Sequence, residues 1–229
     1  MGGGLRELIT YGSQDVYLTG KPDVTFFKTV YRKHANFAME SIEQQMDKNG
    51  REGYVTISKD GDLITNMWIE CENEENGEIN KTGHEMIEKV ELLIGGKVID
   101  THYGEWYNIW SKLTMTDKKL SGYEELVNAR RERKKAYIPL QFFFCKTEGV
   151  GGISSLPIIA LRYQEVSIRI LFSEGVTNEK MFVNSVYLEQ NERERYAQEE
   201  HKLLIEQLQY SGEKMEDNGR KFLKFKNPC

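Results

Sequence analysis

The chain has 229 residues, with 31 Lys and Arg against 36 Asp and Glu for a net charge of −5, and 39% of it is hydrophobic and 29% charged. That balance supports a buried core and excludes a disordered tail, and the negative sign excludes a general basic field for wrapping nucleic acid. Cys71, Cys145 and Cys229 are odd in number and far apart, which argues against a disulfide framework or zinc module and fits a reducing compartment.

No secretory signal is visible, and the longest uncharged stretch, 149–161, is too short and too rich in Gly and Ser to span a bilayer. The opening Met-Gly-Gly-Gly-Leu-Arg has the frame of a myristoylation site but carries Arg6 where Ser or Thr is wanted. Asn80 heads a lone glycosylation sequon, too common a triplet to decide anything.

In chain order, residues 24–31 (VTFFKTVY) follow a Pro-Asp turn signal and read as a strand. Residues 36–45 fit either period: Phe37, Met39 and Ser41 share a face of a strand, and Phe37, Ser41 and Gln44 share a face of a helix. Residues 54–58 and 62–71 flank Asp60-Gly61, which predicts a hairpin. Residues 72–81 are polar and read as a loop. Gly95-Gly96 between 90–94 and 97–101 is the clearest hairpin signal.

The period then changes. Trp106, Ile109, Trp110 and Leu113 stand at i, i+3, i+4 and i+7, the stripe of an amphipathic helix over 103–115. A second helix is expected over 123–135, ending in Arg130, Arg131, Arg133, Lys134 and Lys135. The run 138–145 (IPLQFFFC) reads as a strand buried on both faces. A Gly/Ser loop at 148–157 precedes a clean alternation over 161–172 and a strand at 182–188. Asn191 with Glu194 three residues on is a capping-box signal for a short helix. Residues 203–210 extend that helix or form a strand, and 222–225 (FLKF) begin another strand. About eight short strands with Gly-rich turns predict an all-β sandwich or barrel with short inserted helices.

Several stretches are more specific than this pattern. They are LITYGSQDVYLTG at 8–20, TFFKTVYR at 25–32 with Asn36 and Phe37, DGDLI at 60–64, and VELLIGGKVIDTHY at 90–103. IPLQFFF at 138–144, LPIIAL at 156–161 with Tyr163, Glu165 and Val166, and LIEQLQ at 204–209 complete the set. Together, in order and over nearly the whole chain, they closely resemble the major capsid proteins of nucleocytoplasmic large DNA viruses. The resemblance implies a jelly-roll β-sandwich of two four-stranded antiparallel sheets, and a structural capsid protein that self-assembles into capsomers of an icosahedral shell. It further implies a homotrimer, contacts with neighbouring capsomers and minor capsid proteins, and an inner viral membrane nearby. No direct nucleic-acid contact is expected. The location implied is the virion, with assembly in the host cytoplasm. Members of the family carry two successive jelly rolls. Here the expected organisation is an N-terminal arm at 1–23, the first jelly roll at 24–212, and a linker with the start of a truncated second jelly roll at 213–229. A lone strand at 222–225 would pair with another chain or stay disordered.

Jelly rolls also host metal enzymes, whose ligands are closely spaced His and carboxylate side chains on adjacent strands. Asp100, His102 and Glu105 are the local candidates, with His34, His84 or His201 as a distant partner. Their order reverses the oxygenase His-x-Asp pattern, and the bland reading, a polar strand end beside a helix, is preferred. Cys145 ends an apolar run and reads as a buried inert thiol. Gly149-Val-Gly-Gly152 lacks the following helix that a phosphate site needs. The basic run 130–135 is blunted by Glu124, Glu125 and Glu132 and reads as a solvated face or intersubunit salt-bridge patch. Trp106 and Trp110 read as core capping one end of the sandwich, in preference to a sugar-stacking platform. Residues 12–20 (GSQDVYLTG) fit either a docking arm or an ordinary first strand. The expectation is therefore no enzyme, no cofactor, and no catalytic or metal residues. The competing reading is a lectin-like glycan-binding module using loops 72–81 and 148–157.

Overall fold

The computed structural model describes residues 35–73, 83–128, 135–145, 155–203 and 205–210, together with Gly12. The chain divides after Ala35, and the second unit, Asn36–Cys229, holds all the elements described here. The expected strands at 24–31 and 222–225, the 12–20 segment beyond Gly12, and the basic run short of Lys135 lie outside the described residues.

The strands are β1 (Phe37–Gln44), β2 (Met46–Asn49), β3 (Glu52–Thr56), β4 (Leu63–Asn73), β5 (Ile87–Ile94), β6 (Lys97–Tyr103), β7 (Lys135–Pro139), β8 (Leu156–Pro157), β9 (Val166–Phe172) and β10 (Val176–Leu188). Three helices, α1 (Gly104–Thr114), α2 (Asp117–Val127) and α3 (Gln190–Gln198), are inserted between or after them. One sheet runs β1-β10-β4-β7 with β8 added beside β4, and the other runs β2-β3-β9-β5-β6. Every pairing is antiparallel. The chain passes back and forth between the sheets, so that sequence neighbours such as β3 and β4 end in opposite layers. This is the jelly roll that the resemblance implies. Each sheet has a fifth, short member beyond the four expected, because a β2–β3 hairpin folds back along one edge and two residues of β8 extend the other sheet.

Alternation places the core. Val166, Ile168, Ile170 and Phe172 of β9 face Ile64, Met67, Ile69 and Cys71 of β4 and Met181 and Val183 of β10 in one buried cluster. Each of these side chains contributes about 1.5–3 kcal/mol by leaving water. Two bulges break the β4–β10 ladder. At one of them Asn178 adopts a φ of 52°, a left-handed state that Asn tolerates, and its amide donates to Glu72 Oε2 at 2.9 Å.

The Gly95-Gly96 hairpin forms as expected, with both glycines at positive φ. The Asp60-Gly61 hairpin does not. This turn carries the chain from one sheet to the other, and β3 pairs with β9 while β4 pairs with β10. Gly61 is wanted for proximity: a Cβ there would stand 2.7 Å from Ser185 Cβ. Asp62 then fixes the crossing. Its amide donates to Val186 O at 2.9 Å, and its buried carboxylate accepts from Leu188 N and pairs with Arg193 Nε of α3, both at 2.9 Å. The true hairpin nearby turns at Gly50-Arg51, with Gly50 at φ 62°.

Other boundaries shift for local reasons. Residues 36–45 resolve as strand β1. The second helix begins at Asp117 and ends at Val127, earlier than expected. The apolar run at 138–145 leaves the sheet after Pro139: Leu140 N donates to Met67 O, and a turn closes with Cys145 N donating to Phe142 O. Those side chains stay buried without strand geometry. The alternation at 161–172 becomes strand only from Val166. The capping box of α3 is absent, since its N-cap is Glu189 with no side-chain bond. Residues 205–210 are neither helix nor strand, and run beside β6 with Gln207 Nε2 donating to Ile99 O and Leu208 N to Asp100 Oδ1.

Helix α1 presses against the chain just before β5. A Cβ on Gly104 would lie 2.3 Å from the carbonyl oxygens of His84 and Ile87. Backbone cannot retreat cheaply, so Gly104→Ala is expected to lower unfolding stability by about 1–3 kcal/mol in urea titration, whereas Gly122→Ala, inside α2 with open space for its Cβ, is expected to raise it by about 0.5–1 kcal/mol.

Candidate functional site

The polar cluster flagged in the sequence forms only in part. His102 Nε2 lies 2.9 Å from Asp100 Oδ2, and both side chains are buried. His102 Nδ1 is 3.2 Å from the Tyr107 hydroxyl, and the imidazole stacks on Phe142 at 4.8 Å. Asp100 Oδ1 accepts from Thr101 N at 2.9 Å and Leu208 N at 3.1 Å. The pair therefore ties β6 to α1 and to the 205–210 segment. Glu105 is exposed and does not join it. His84 stands 2.9 Å from the Tyr123 hydroxyl, and His201 Nε2 is 2.7 Å from Tyr196 O. His34 lies outside the described residues. Among those described, no three His, Cys, Asp or Glu side chains converge as a metal set.

The thiols are equally unsuited to nucleophilic work. Burial pushes Cys145 and Cys71 up to about 12, with Glu179, Glu70 and Glu72 adding to the effect at Cys71. The Tyr107 hydroxyl is likewise driven well above its usual range by burial first. Of the basic run, Lys135 alone is described, and it pairs with Glu70 at 2.6 Å at the start of β7. That contact belongs to a salt-bridged surface.

The tryptophans depart from expectation. Trp106 and Trp110 do not cap the core. They line an open groove of about 1100 Å³ together with Trp68, Met115, Leu126 and Pro139. The reason lies in the two sides of α1. Gly104, Tyr107 and Ser111 are the residues that it buries against the body. A small residue is needed where the helix meets backbone oxygens, so the bulky stripe turns the other way. Ile109 stays 53% exposed and Leu113 77% exposed. Trp68 stacks on Phe182 at 5.6 Å across the outer face of the β1-β10-β4-β7 sheet. The groove thus lies between the outward side of α1 and the outward side of that sheet. A period-3.6 pattern locates the helix stripe but not the direction in which it points.

Comparison with known proteins follows the same lines. A family model described as the N-terminus of major capsid proteins matches residues 25–191. The major capsid protein of Pyramimonas orientalis virus is 39% identical over 256 residues, covering 100% of this chain and 63% of its own. That of Paramecium bursaria Chlorella virus 1 is 38% identical, covering 93% of this chain and 54% of its own. The solved structure of PBCV-1 VP54, fitted into a reconstruction of the virophage Sputnik, superposes with a TM-score of 0.69 at 34% identity, over 81% of this chain and 50% of that one. The Faustovirus major capsid protein shares the fold at a TM-score of 0.55 and 8% identity. The chain spans about half the length of the curated relatives that it matches.

The His84–Tyr123 contact carries a measurable pH signature. Burial holds its imidazole down at about 4, with Glu85 pulling it partly back and Lys112 adding to the depression. The unfolded chain takes up this proton near pH 6.5 and the folded chain only near 4, so stability is full above that window and falls as pH drops through it. A loss of up to about 3 kcal/mol between pH 7 and pH 4 is expected by urea unfolding; His84→Gln should flatten the slope.

Proposed function

This chain belongs to the major capsid protein family of large DNA viruses, and from that premise we propose that it is a building block of an icosahedral viral shell with no catalytic role. The observation that carries the reading is the match of the family model to 25–191 on a two-sheet jelly roll whose strands occupy 37–188. The polar groups in and around the sandwich support it: they are spent on tying segments together, as in Asp62–Arg193 and Asp100–His102, and the thiols are buried.

On this reading the domain comprises residues 24–212, preceded by an arm at 1–23 and followed by a linker leading toward a second sandwich at 213–229. Three such units form a capsomer, which meets neighbouring capsomers and minor capsid proteins. The sandwich makes no direct nucleic-acid contact and takes no cofactor or metal. Shell assembly takes place in the host cytoplasm beside an inner viral membrane. Among the described residues no helix is long and apolar enough to cross a membrane.

Quantitative mass spectrometry of purified virus particles tests the proposal. Peptides of this chain are expected among the most abundant shell components, on a polypeptide of about this size or about twice it. Their absence from particles, or presence only at trace level, would overturn it.

A further inference from the structure

Asparagine can react with its own backbone. The nitrogen of the next residue attacks the side-chain amide carbon, and a following glycine favours the reaction because no side chain shields that nitrogen. Asn-Gly pairs stand at 49–50, 76–77 and 218–219, and the last two lie outside the described residues. Asn49-Gly50 sits where β2 turns into β3. The ladder ends at the Asn49–Glu52 pair, so the Gly50 nitrogen lies in the two-residue turn beyond it. Of the two turn residues only Gly50 has positive φ, at 62°, which is the type II′ pattern. A Cβ on Gly50 would meet nothing within 4 Å. The Asn49 side chain is exposed, and among the described residues nothing bonds to it. Its neighbours are anchored by contrast. Lys48 pairs with Glu179 at 2.6 Å, Arg51 O accepts from Phe172 N at 2.9 Å, and the Arg51 guanidinium pairs with Glu88 at 3.0 Å.

We infer that Asn49 is a site of spontaneous covalent modification: the Gly50 nitrogen closes a succinimide ring on the Asn49 side chain, and water opens the ring to aspartate or isoaspartate. The inference goes beyond the capsid reading and does not depend on it. In the first step the Gly50 nitrogen gives its proton to base in the solvent and bonds to Asn49 Cγ. The side-chain nitrogen leaves that carbon as ammonia, taking up a proton from water. In the second step water adds to one of the two ring carbonyls and breaks its bond to the Gly50 nitrogen, which regains a proton. Breaking the bond to Cγ restores the ordinary backbone, with aspartate at this position. Breaking the bond to the Asn49 carbonyl carbon routes the chain through the side chain, as isoaspartate. The net change is water consumed and ammonia released, with no oxidation or reduction.

The fold selects this asparagine among those described. Asn184 is followed by the small Ser185, but it lies in β10, which is paired on both sides, and its Oδ1 accepts from the Ser41 hydroxyl at 2.5 Å. Asn178 is followed by a bulkier Glu179, and its amide donates to Glu72. Strand geometry at Asn49 holds Cγ away from the Gly50 nitrogen, so ring closure passes through fraying of the closing pair. β2 frays readily because it is a four-residue strand at the edge of its sheet. The product then weakens the same hairpin. Aspartate sets a second carboxylate directly opposite Glu52. Isoaspartate lengthens the backbone by a methylene, which a two-residue turn cannot absorb without a change of register. Either product loosens β2 from β3 and bares the backbone edge of β3.

Incubation of the full chain in oxygen-labelled water at neutral and mildly alkaline pH, followed by Glu-specific digestion and mass spectrometry, tests the inference. Cleavage places Asn49 on the peptide 44–52 and Asn184 on 180–189. An isoaspartyl methyltransferase with labelled methyl donor then marks isoaspartate. The 44–52 peptide is expected to gain the oxygen label and a methyl-accepting isoaspartate at least a hundredfold faster than 180–189 gains label, and faster at the higher pH. That ratio should shrink when the chain is incubated unfolded in urea, which frees Asn184 from β10. Asn49→Gln alters an exposed side chain, is expected to fold, and should abolish methyl acceptance on 44–52. If Asn49 keeps its amide in the folded chain while the isolated 44–52 peptide converts, the hairpin protects it and the inference is wrong. Conversion to aspartate alone would mean direct hydrolysis without ring closure by Gly50, and would overturn the mechanism. An equal ratio in folded and unfolded chain would overturn selection by the fold.

Discussion

The burial of two sheet faces against each other underlies everything else in this molecule. A strand presents alternate side chains to opposite sides, so one apolar row per strand can leave water only by meeting another sheet. Ile168 and Ile170 on one layer and Ile64, Ile69 and Val183 on the other do so completely. Because the chain changes layers repeatedly, no sheet is finished until distant segments arrive: β10 must enter between β1 and β4, and β9 between β3 and β5. Polar anchors are placed at the crossings. Asp62 bonds the end of β10 and the helix after it, and Asp100 holds the segment at 205–210. These buried carboxylates act as structural fasteners.

The amino-acid sequence displays local facts well. The double-glycine hairpin is legible because two adjacent positive φ values leave little alternative to glycine. The helix over 103–115 is legible because four apolar residues fall at helical spacing, and the whole-chain resemblance identified the architecture that local signals left open between sandwich and barrel. What failed was information held by tertiary neighbours. Asp60-Gly61 has the composition of a hairpin turn, yet its glycine is required by the approach of Ser185, more than a hundred residues away. Phe142 to Cys145 are as buried as any strand, but their backbone bonds close a turn. Helical spacing places Trp106 and Trp110 in the core because apolar residues usually point inward, while Gly104 and its two carbonyl neighbours favour the opposite orientation.

Ile109 and Leu113 of the α1 stripe are exposed, as are Phe37 and Met39 on the outward side of β1. The buried contacts of His102 with Tyr107 and Phe142 hold α1, which carries the exposed stripe, to the core.

Native-state hydrogen exchange read residue by residue tests the central claim of two interlocked layers most directly. The amides of the interior strands β4, β9 and β10 should exchange slowest and together, through global unfolding, while the exposed side of α1 and residues 205–210 exchange faster. Rapid independent exchange in β9 and β10, with the slowest amides confined to the helices, would contradict the account.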